Sequence, residues 1–260
     1  MKVKFIPTKD ERNLEVNNLI KTKFPHFLIE HSPELLLVVG GDGALLHAIQ
    51  EYNNLQIPFF GIAGGTLNFM MNPIEDLESF LMDLITKNPI LHTVETTSIK
   101  TALHKQKEER KFIGWAVNDV VLGTSIMGYH KFVINSTDGS FEDFAINGSG
   151  ICLSTELGST GYNFNLGGSI LPMGSNLWSL NGIVCNRYLD DILKTQRITF
   201  TCESKREPSI LFIDGMYKGH ELNQGDQLIV EQGQIIKLAF LHTETFITKR
   251  IEIASRFRKH

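Results

Sequence analysis

The sequence predicts an α/β N-terminal domain with a mostly parallel sheet, followed by a β-rich C-terminal domain. Two observations carry this. Over the first 90 residues, continuous apolar runs alternate with segments of helical period, the pattern of a mostly parallel sheet. After Asn88-Pro89 the helical period stops, and short runs rich in Val, Ile, Thr and Phe sit between turn residues. The expected division is 1–90 and 91–242, with the tail 243–260 packing back on the first domain. A length of 260 residues suits one large domain or two modest ones, at roughly 150 residues each.

The elements follow in order. Val3 to Ile6 is a short strand. Thr8 and Glu11 stand at capping-box spacing before a helix whose Val16, Leu19 and Ile20 share a face. Leu35 to Val39 is apolar throughout, as in a strand buried on both faces. Ala44 to Tyr52 reads as a helix and Ile57 to Ile62 as another buried strand. Asn72 and Pro73 read as N-cap and first residue of a third helix, with Ile74, Leu77, Phe80, Leu81, Leu84 and Ile85 at helical period. In the second half, Trp115–Leu122, Phe132–Ser136, Gly150–Thr155, Ile198–Cys202 and Ile210–Ile213 read as strands. Asp138-Gly139 marks a hairpin.

Composition narrows the function classes. Hydrophobic residues make up 42%, enough for real cores, and 21% charged residues with 22 Gly and 8 Pro do not describe a disordered chain. A net charge of -4 argues against nucleic acid or anionic membrane as the main partner. Cys152, Cys185 and Cys202 form neither a disulfide framework nor a CxxC metal site, and point to a reducing, cytoplasmic setting. No apolar run approaches the roughly 18 residues of a membrane span, and the first residues hold too short an apolar stretch for a signal peptide.

Four segments are candidates for chemistry. Gly40-Gly41-Asp42-Gly43 follows the Leu35–Val39 strand and precedes a helix. Ligands of open α/β sheets bind at carboxyl ends of strands. Glycines there let backbone N–H groups approach an anion, and the next helix N-terminus favours negative charge. A carboxylate among them repels phosphate, so Asp42 fits better as a group that orients a hydroxyl or holds a metal ion. The plainer reading is a tight turn with Asp42 as helix cap. Neither the P-loop nor the dinucleotide fingerprint is present.

The second segment, Gly61 to Phe69, includes Gly64 and Gly65. It follows the next buried strand, so the two loops would face one crevice, unless it is only a flexible connection. The third is Asn118-Asp119 inside an apolar strand, where a buried carboxylate needs partners that ribose hydroxyls would supply. A bulge or an exposed strand face is the alternative. The fourth runs from Ser154 to Tyr162, then Gly167-Gly168 and Pro172, with many donors and little bulk, or else a solvated loop. The nine histidines lack metal-ligand spacing, so no dedicated metal site is expected. Asp190-Asp191 reads as a solvated helix face, Asp214-Gly215 as a turn, and Met70 and Met71 as packing.

In this order the four segments resemble the NAD kinase family, over roughly residues 35 to 250. The family pattern is a GGDG loop, a G-x-N-x-G-x-L-G-F segment, an Asn-Glu or Asn-Asp pair, and T-P-x-G-S-T-A-Y-x-x-x-x-G-G. GGDG is shared with diacylglycerol and sphingosine kinases. Gly158-Ser159-Thr160-Gly161-Tyr162 with Gly167-Gly168, downstream of Asn118-Asp119, is far more specific. The resemblance implies a kinase that moves a phosphoryl group from ATP, or from polyphosphate or another phosphoanhydride donor, to the 2′-hydroxyl of the adenosine ribose of NAD, with Mg²⁺ or another divalent cation accompanying ATP. It implies that Asp42 activates that hydroxyl, and that Gly43 and Phe69 line the NAD site. Asn118 and Asp119 would hold NAD, Asp119 through ribose hydroxyls, and Thr160, Gly161 and Tyr162 would contact it. Gly40, Gly41, Gly64 and Gly65 would offer loop amides to phosphates, and Ser149, Ser159 and Asn165 are further candidates. A homodimer or homotetramer is expected, with no nucleic-acid or membrane partner.

The chain departs from the pattern at Ala44, Ala63, Asn68, Ser149, Glu156-Leu157 and Gly161. The Gly65-Thr66-Leu67-Asn68 run also looks somewhat like the G-T-x-N segment of lipid kinases. A lipid or small-alcohol kinase, and a non-catalytic NAD(P) sensor, are therefore the alternatives.

Overall fold

The apolar runs of the N-terminal region pair as parallel strands: β1 (Val3–Ile6), β2 (Leu35–Gly40) and β3 (Phe59–Ala63). Val38 of β2 lies between Ile6 and Gly61. Every residue of β2 is buried, as a strand covered on both faces must be. The computed structural model describes all residues except 8–12, 29–30, 65–67, 125–127, 195–196, 243–249 and 253–260. The chain folds into two units, Met1–Glu95 with Ile235–His260, and Thr96–Gln234.

In the first unit, α1 (Leu14–Lys23) and α3 (Leu77–Thr86) bury Ile20, Leu81 and Leu84 in one cluster with Leu35, Leu37, Val39 and Phe60. Phe80 stacks on Phe60, with ring centroids 5.2 Å apart. Between them in the chain, α2 (Asp42–Tyr52) buries Leu45, Ala48 and Ile49. It begins two residues before the expected Ala44, which puts Asp42 in its first turn. The expected capping pair Thr8 and Glu11 lies outside the described residues.

Asn72 does not cap the third helix. Helix α3 starts at Leu77, and the Asp76 carboxylate accepts the Ser79 N–H (3.0 Å). Asn72 is buried, and its Nδ2 donates to the carbonyls of Gly61 (3.0 Å) and Ala239 (3.1 Å). Its Oδ1 accepts the Leu241 N–H (3.0 Å). These backbone groups at the ends of two strands need partners once buried, and they consume the amide that a cap requires.

The second unit is built on antiparallel strands, as expected for its short β runs. They are β4 (His92–His104), β5 (Lys111–Ala116), β6 (Asp119–Gly123), β7 (His130–Ser136), β8 (Phe144–Ser154), β9 (Trp178–Cys185), β10 (Asp190–Leu193), β11 (Arg197–Cys202), β12 (Ser209–Ile213), β13 (Met216–Leu222) and β14 (Gln227–Phe240). Residues 92–95 of β4 and those of β14 from Ile235 onward belong to the first unit, where Leu238 pairs with Phe59 of β3. The order in the second unit is β14-β11-β7-β8-β6-β12-β13, with β9 beside β8 and β10, and β4 beside β14 and β5. Phe132, Ile134, Leu153, Leu180, Phe200 and Leu211 centre its core. Strands β7 and β8 form the expected hairpin, with Gly139 at φ +70° in the connection.

Two expectations change here. Trp115–Leu122 is not one strand, because β5 ends at Ala116 and β6 begins at Asp119. Asp190-Asp191 opens β10 instead of lying on a helix, and the Asp190 carboxylate accepts the Ser169 N–H (3.2 Å). Two consecutive acidic residues carry no period, so they fit a short edge strand as well as a helix face.

Asn72→Ala removes the partners of the Ala239 carbonyl and the Leu241 N–H. At about 1–3 kcal/mol for each buried group left unpaired, the variant should lose about 3 kcal/mol in urea unfolding. A loss below about 0.5 kcal/mol, the size of an ordinary surface substitution, contradicts this role.

Candidate functional site

The first cluster lies at the carboxyl ends of β2 and β3. Strand β2 ends at Gly40, at φ +152°, and Gly41 caps α2. The Gly64 N–H donates to the Gly40 carbonyl (2.7 Å), which fastens the two loops together. A Cβ on Gly64 would stand 3.3 Å from the Gly40 Cα and 2.6 Å from the Asn13 side-chain oxygen, so this close approach favours glycine. A Cβ on Gly43 would meet nothing within 4 Å. Space is therefore left open at the first turn of α2. Gly65 lies outside the described residues.

Asp42 folds the second loop onto the first. Its Oδ2 accepts the Phe69 N–H (2.8 Å) and its Oδ1 the Met70 N–H (2.9 Å). Burial pushes its pKa above the ordinary aspartate value, while the two N–H groups and the charge of buried Arg250 pull it back. The helix N-terminus also favours the charged form. Each oxygen keeps a second lone-pair direction. Asp42 can thus hold the loop and accept a further hydrogen bond at once. Phe69 is half-buried, and Met70 and Met71 are buried as packing residues.

The second cluster lies in the other unit, at the break between β5 and β6. The Asp214 carboxylate makes that break. It accepts the N–H groups of Val117 (2.9 Å), Asn118 (2.7 Å) and Asp119 (3.1 Å). Three successive N–H groups turned to one carboxylate cannot feed a strand ladder, so pairing stops there. Asp214 itself sits at φ +50°, a conformation that Asp tolerates better than most residues. The turn expected at Asp214-Gly215 is present, but the role of its carboxylate is not foreseen by the local sequence. An Asp placed directly after an apolar strand is the available signal.

On the carbonyl side, Asn118 accepts the Thr155 N–H (2.8 Å), and Val117 accepts the Thr155 hydroxyl (2.6 Å). A Cβ on Gly158 would collide with the Asn118 carbonyl, so only glycine fits there. The Asn118 Oδ1 is buried and has no hydrogen-bond partner among the described residues. A buried acceptor left open in this way is a place where a donor from a ligand or water can bind.

Asp119 is 5% exposed. Burial, and then the Asp214 charge, raise its pKa to about 7. Its charge adds to the burial that raises the pKa of Cys152 and of Tyr162, so the three side chains are neighbours. Tyr162 is largely exposed, and a Cβ on Gly161 would stand 4.0 Å from the Asn118 Nδ2. Asn118, Asp119, Gly161 and Tyr162 therefore come together, with half-buried Thr160 beside them in the chain. Ser159 is different: it is buried, donating to the Glu156 carbonyl (2.7 Å) and accepting the Leu171 N–H (3.0 Å), which makes it scaffold. Asn165 is exposed at the end of the single-turn α4 (Tyr162–Asn165), and Ser149 lies half-buried on β8. Among the described residues no three His, Cys, Asp or Glu side chains group as metal ligands. No helix of the described residues is long and apolar enough to cross a membrane.

The chain is similar in sequence and fold to known proteins. The model of the ATP-NAD kinase N-terminal domain matches residues 4–88. The NAD kinase of Rickettsia felis is 33% identical over 186 residues, covering 70% of this chain and 68% of that protein. The NAD kinase of Finegoldia magna is 28% identical over 250 residues, covering 89% and 90%. Among solved structures, yeast NADH kinase complexed with NADH superposes with a TM-score of 0.77 at 20% identity, covering 96% of this chain and 85% of that one. An NAD kinase from Archaeoglobus fulgidus in complex with ATP gives 0.70 at 16% identity, covering 98% and 99%. The loop that carries Asp42 lies within the matched domain, and with a third of aligned residues identical to a curated NAD kinase over more than two thirds of both proteins, this chain belongs to the NAD kinase family.

Proposed function

We propose that this chain is a kinase that transfers the γ-phosphoryl group of ATP to the 2′-hydroxyl of the adenosine ribose of NAD, giving NADP and ADP. The observation that carries the reading is Asp42: a carboxylate raised in pKa by burial, held by two backbone N–H groups in a glycine loop of a NAD kinase relative. Solved relatives were complexed with ATP in one case and NADH in the other, which supports this pair of ligands. The relatives' names lend no support to the lipid-kinase or sensor alternatives.

The ribose oxygen attacks the γ-phosphorus, the bond to the bridging oxygen breaks, and Asp42 accepts the hydroxyl proton. An Asp is a weak base, so positioning contributes most of the remaining acceleration. Asn118 and Asp119 hold NAD, the unpartnered Asn118 Oδ1 as an acceptor and Asp119 through ribose hydroxyls. Thr160, Gly161 and Tyr162 contact the dinucleotide, and Gly43 and Phe69 line the site. The amides of Gly40 and Gly41 are offered to phosphate oxygens, whereas the expected contribution of the Gly64 amide is given up to the Gly40 carbonyl and Gly65 lies outside the described residues. Ser149 and Asn165 are outlying contacts. The cation enters as part of the MgATP substrate, and polyphosphate is the alternative donor. Unpaired cysteines support a cytoplasmic setting, and the family resemblance supports a homodimer or homotetramer.

The purified protein should form NADP from NAD, ATP and Mg²⁺. Asp42→Asn should lower kcat by about 10²–10⁴-fold, the usual contribution of a positioned general base, while NAD still binds. No NADP at all, or an undiminished rate in the variant, overturns the reading. Phosphorylation of diacylglycerol vesicles but not NAD favours the lipid-kinase alternative.

Titration of Asp119 gives a second test. Ribose hydroxyls that donate to a carboxylate favour its charged form, so NAD binding should lower the Asp119 pKa from about 7 and release a proton. Calorimetry in two buffers of different ionisation enthalpy should show that release near pH 7, and NAD affinity should weaken as the pH falls below it. Asp119→Asn should abolish both effects. Proton release unchanged in the variant contradicts the assignment.

A further inference from the structure

Glu156 stands in a departure from the family pattern, and the chemistry above makes no use of it. It is only 2% exposed. Its carboxylate accepts the N–H groups of Gly174 (2.5 Å) and Asn176. Both residues have left-handed backbone, at φ +77° and +54°. Such turns gather N–H groups into a concavity suited to an anion, and here the chain supplies its own. Gly174 and Asn176 are exposed while the carboxylate they hold is buried. The segment at 174–176 therefore covers Glu156.

Four further bonds, made by two side chains, join the same stretches of chain. Ser159 links the Glu156 carbonyl to the Leu171 N–H. The Asn163 amide donates to the carbonyls of Ser159 (3.0 Å) and Ser169 (2.9 Å). Between these ties sits Gly158, pressed on the Asn118 carbonyl with no room for a Cβ. These contacts connect the Glu156 turn to the backbone that presents Asn118, Gly161 and Tyr162.

We propose that Glu156 is a positioning residue for NAD, and that its carboxylate, by accepting two backbone N–H groups, clamps the 174–176 turn so that the Thr155–Tyr162 loop keeps its ligand-binding form. The proposal rests on the NAD kinase reading. Two N–H donors need two acceptors. Gln at this position supplies one acceptor and turns an NH₂ group toward the other donor, while Asp keeps both acceptors on a shorter stem.

The test compares Glu156→Gln, Glu156→Asp and, as a stability control in the same unit's core, Phe200→Leu. Glu156→Gln should raise KM for NAD about tenfold and leave KM for ATP and kcat within about twofold, the signature of lost binding shared by ground and transition states. Amide hydrogen exchange should quicken across 168–177. Glu156→Asp should recover part of the NAD affinity, and Phe200→Leu should lower Tm without changing KM. An unchanged KM for NAD in Glu156→Gln overturns the proposal, as does an equal rise in Phe200→Leu. If Glu156→Gln does not fold, Glu156→Asp with wild-type KM and exchange overturns it. A wild-type protein that binds NAD but makes no NADP contradicts the kinase reading alone, because calorimetric NAD affinities of the variants still decide the clamp.

Discussion

Backbone N–H groups collected by carboxylates shape every loop to which a role is assigned here. Asp42 takes two from the segment after β3, Asp214 takes three from the break between β5 and β6, and Glu156 takes two from the turn at 174–176. Hydrogen bonds to a charged acceptor are roughly twice as strong as neutral ones. They also offset the cost of burying the charge. A carboxylate held in this way fixes a loop more firmly than a neutral side chain, and it remains an acceptor.

This interaction bears on a difficulty of charge. The chain carries a formal net charge of -4, and its proposed substrates are anions. Long-range attraction cannot gather them. Amides must do so locally, and some amides are already committed to the chain's own carboxylates. Glycine divides the remaining work. Gly158 stands where the backbone approaches too closely for any Cβ and Gly64 where a Cβ would be tight, whereas Gly43 stands beside open space. The first two are favoured by packing, while the third keeps the helix N-terminus accessible.

The apolar runs of β2 and β3, the change to antiparallel strands and the glycine loops are legible because each is written in local spacing. What the sequence hides depends on partners distant in the chain. Asp214 acts on residues 95 to 97 positions away, and Asn72 on a carbonyl 167 positions away. Asn72-Pro73 has every local mark of a helix start, yet strand-end carbonyls claim its amide and leave Asp76 to cap the helix. Asn118-Asp119 stands out because a carboxylate in an apolar run is costly. The break that explains it is invisible without Asp214. Glu156 stands out only as a mismatch to a motif, since its burial under the 174–176 turn has no local signature.

The central claim is that the Asp42 carboxylate, held by the amides of Phe69 and Met70, receives the proton of a ribose hydroxyl. A crystal structure of the Asp42→Asn protein with NAD and a non-hydrolysable ATP analogue tests it most directly. The account predicts the 2′-oxygen of the adenosine ribose at about 2.6–3.2 Å from the side chain at position 42, the reach of a general base. NAD bound with that oxygen well beyond hydrogen-bonding distance, and the γ-phosphorus of the analogue nearer to some other hydroxyl, would contradict it.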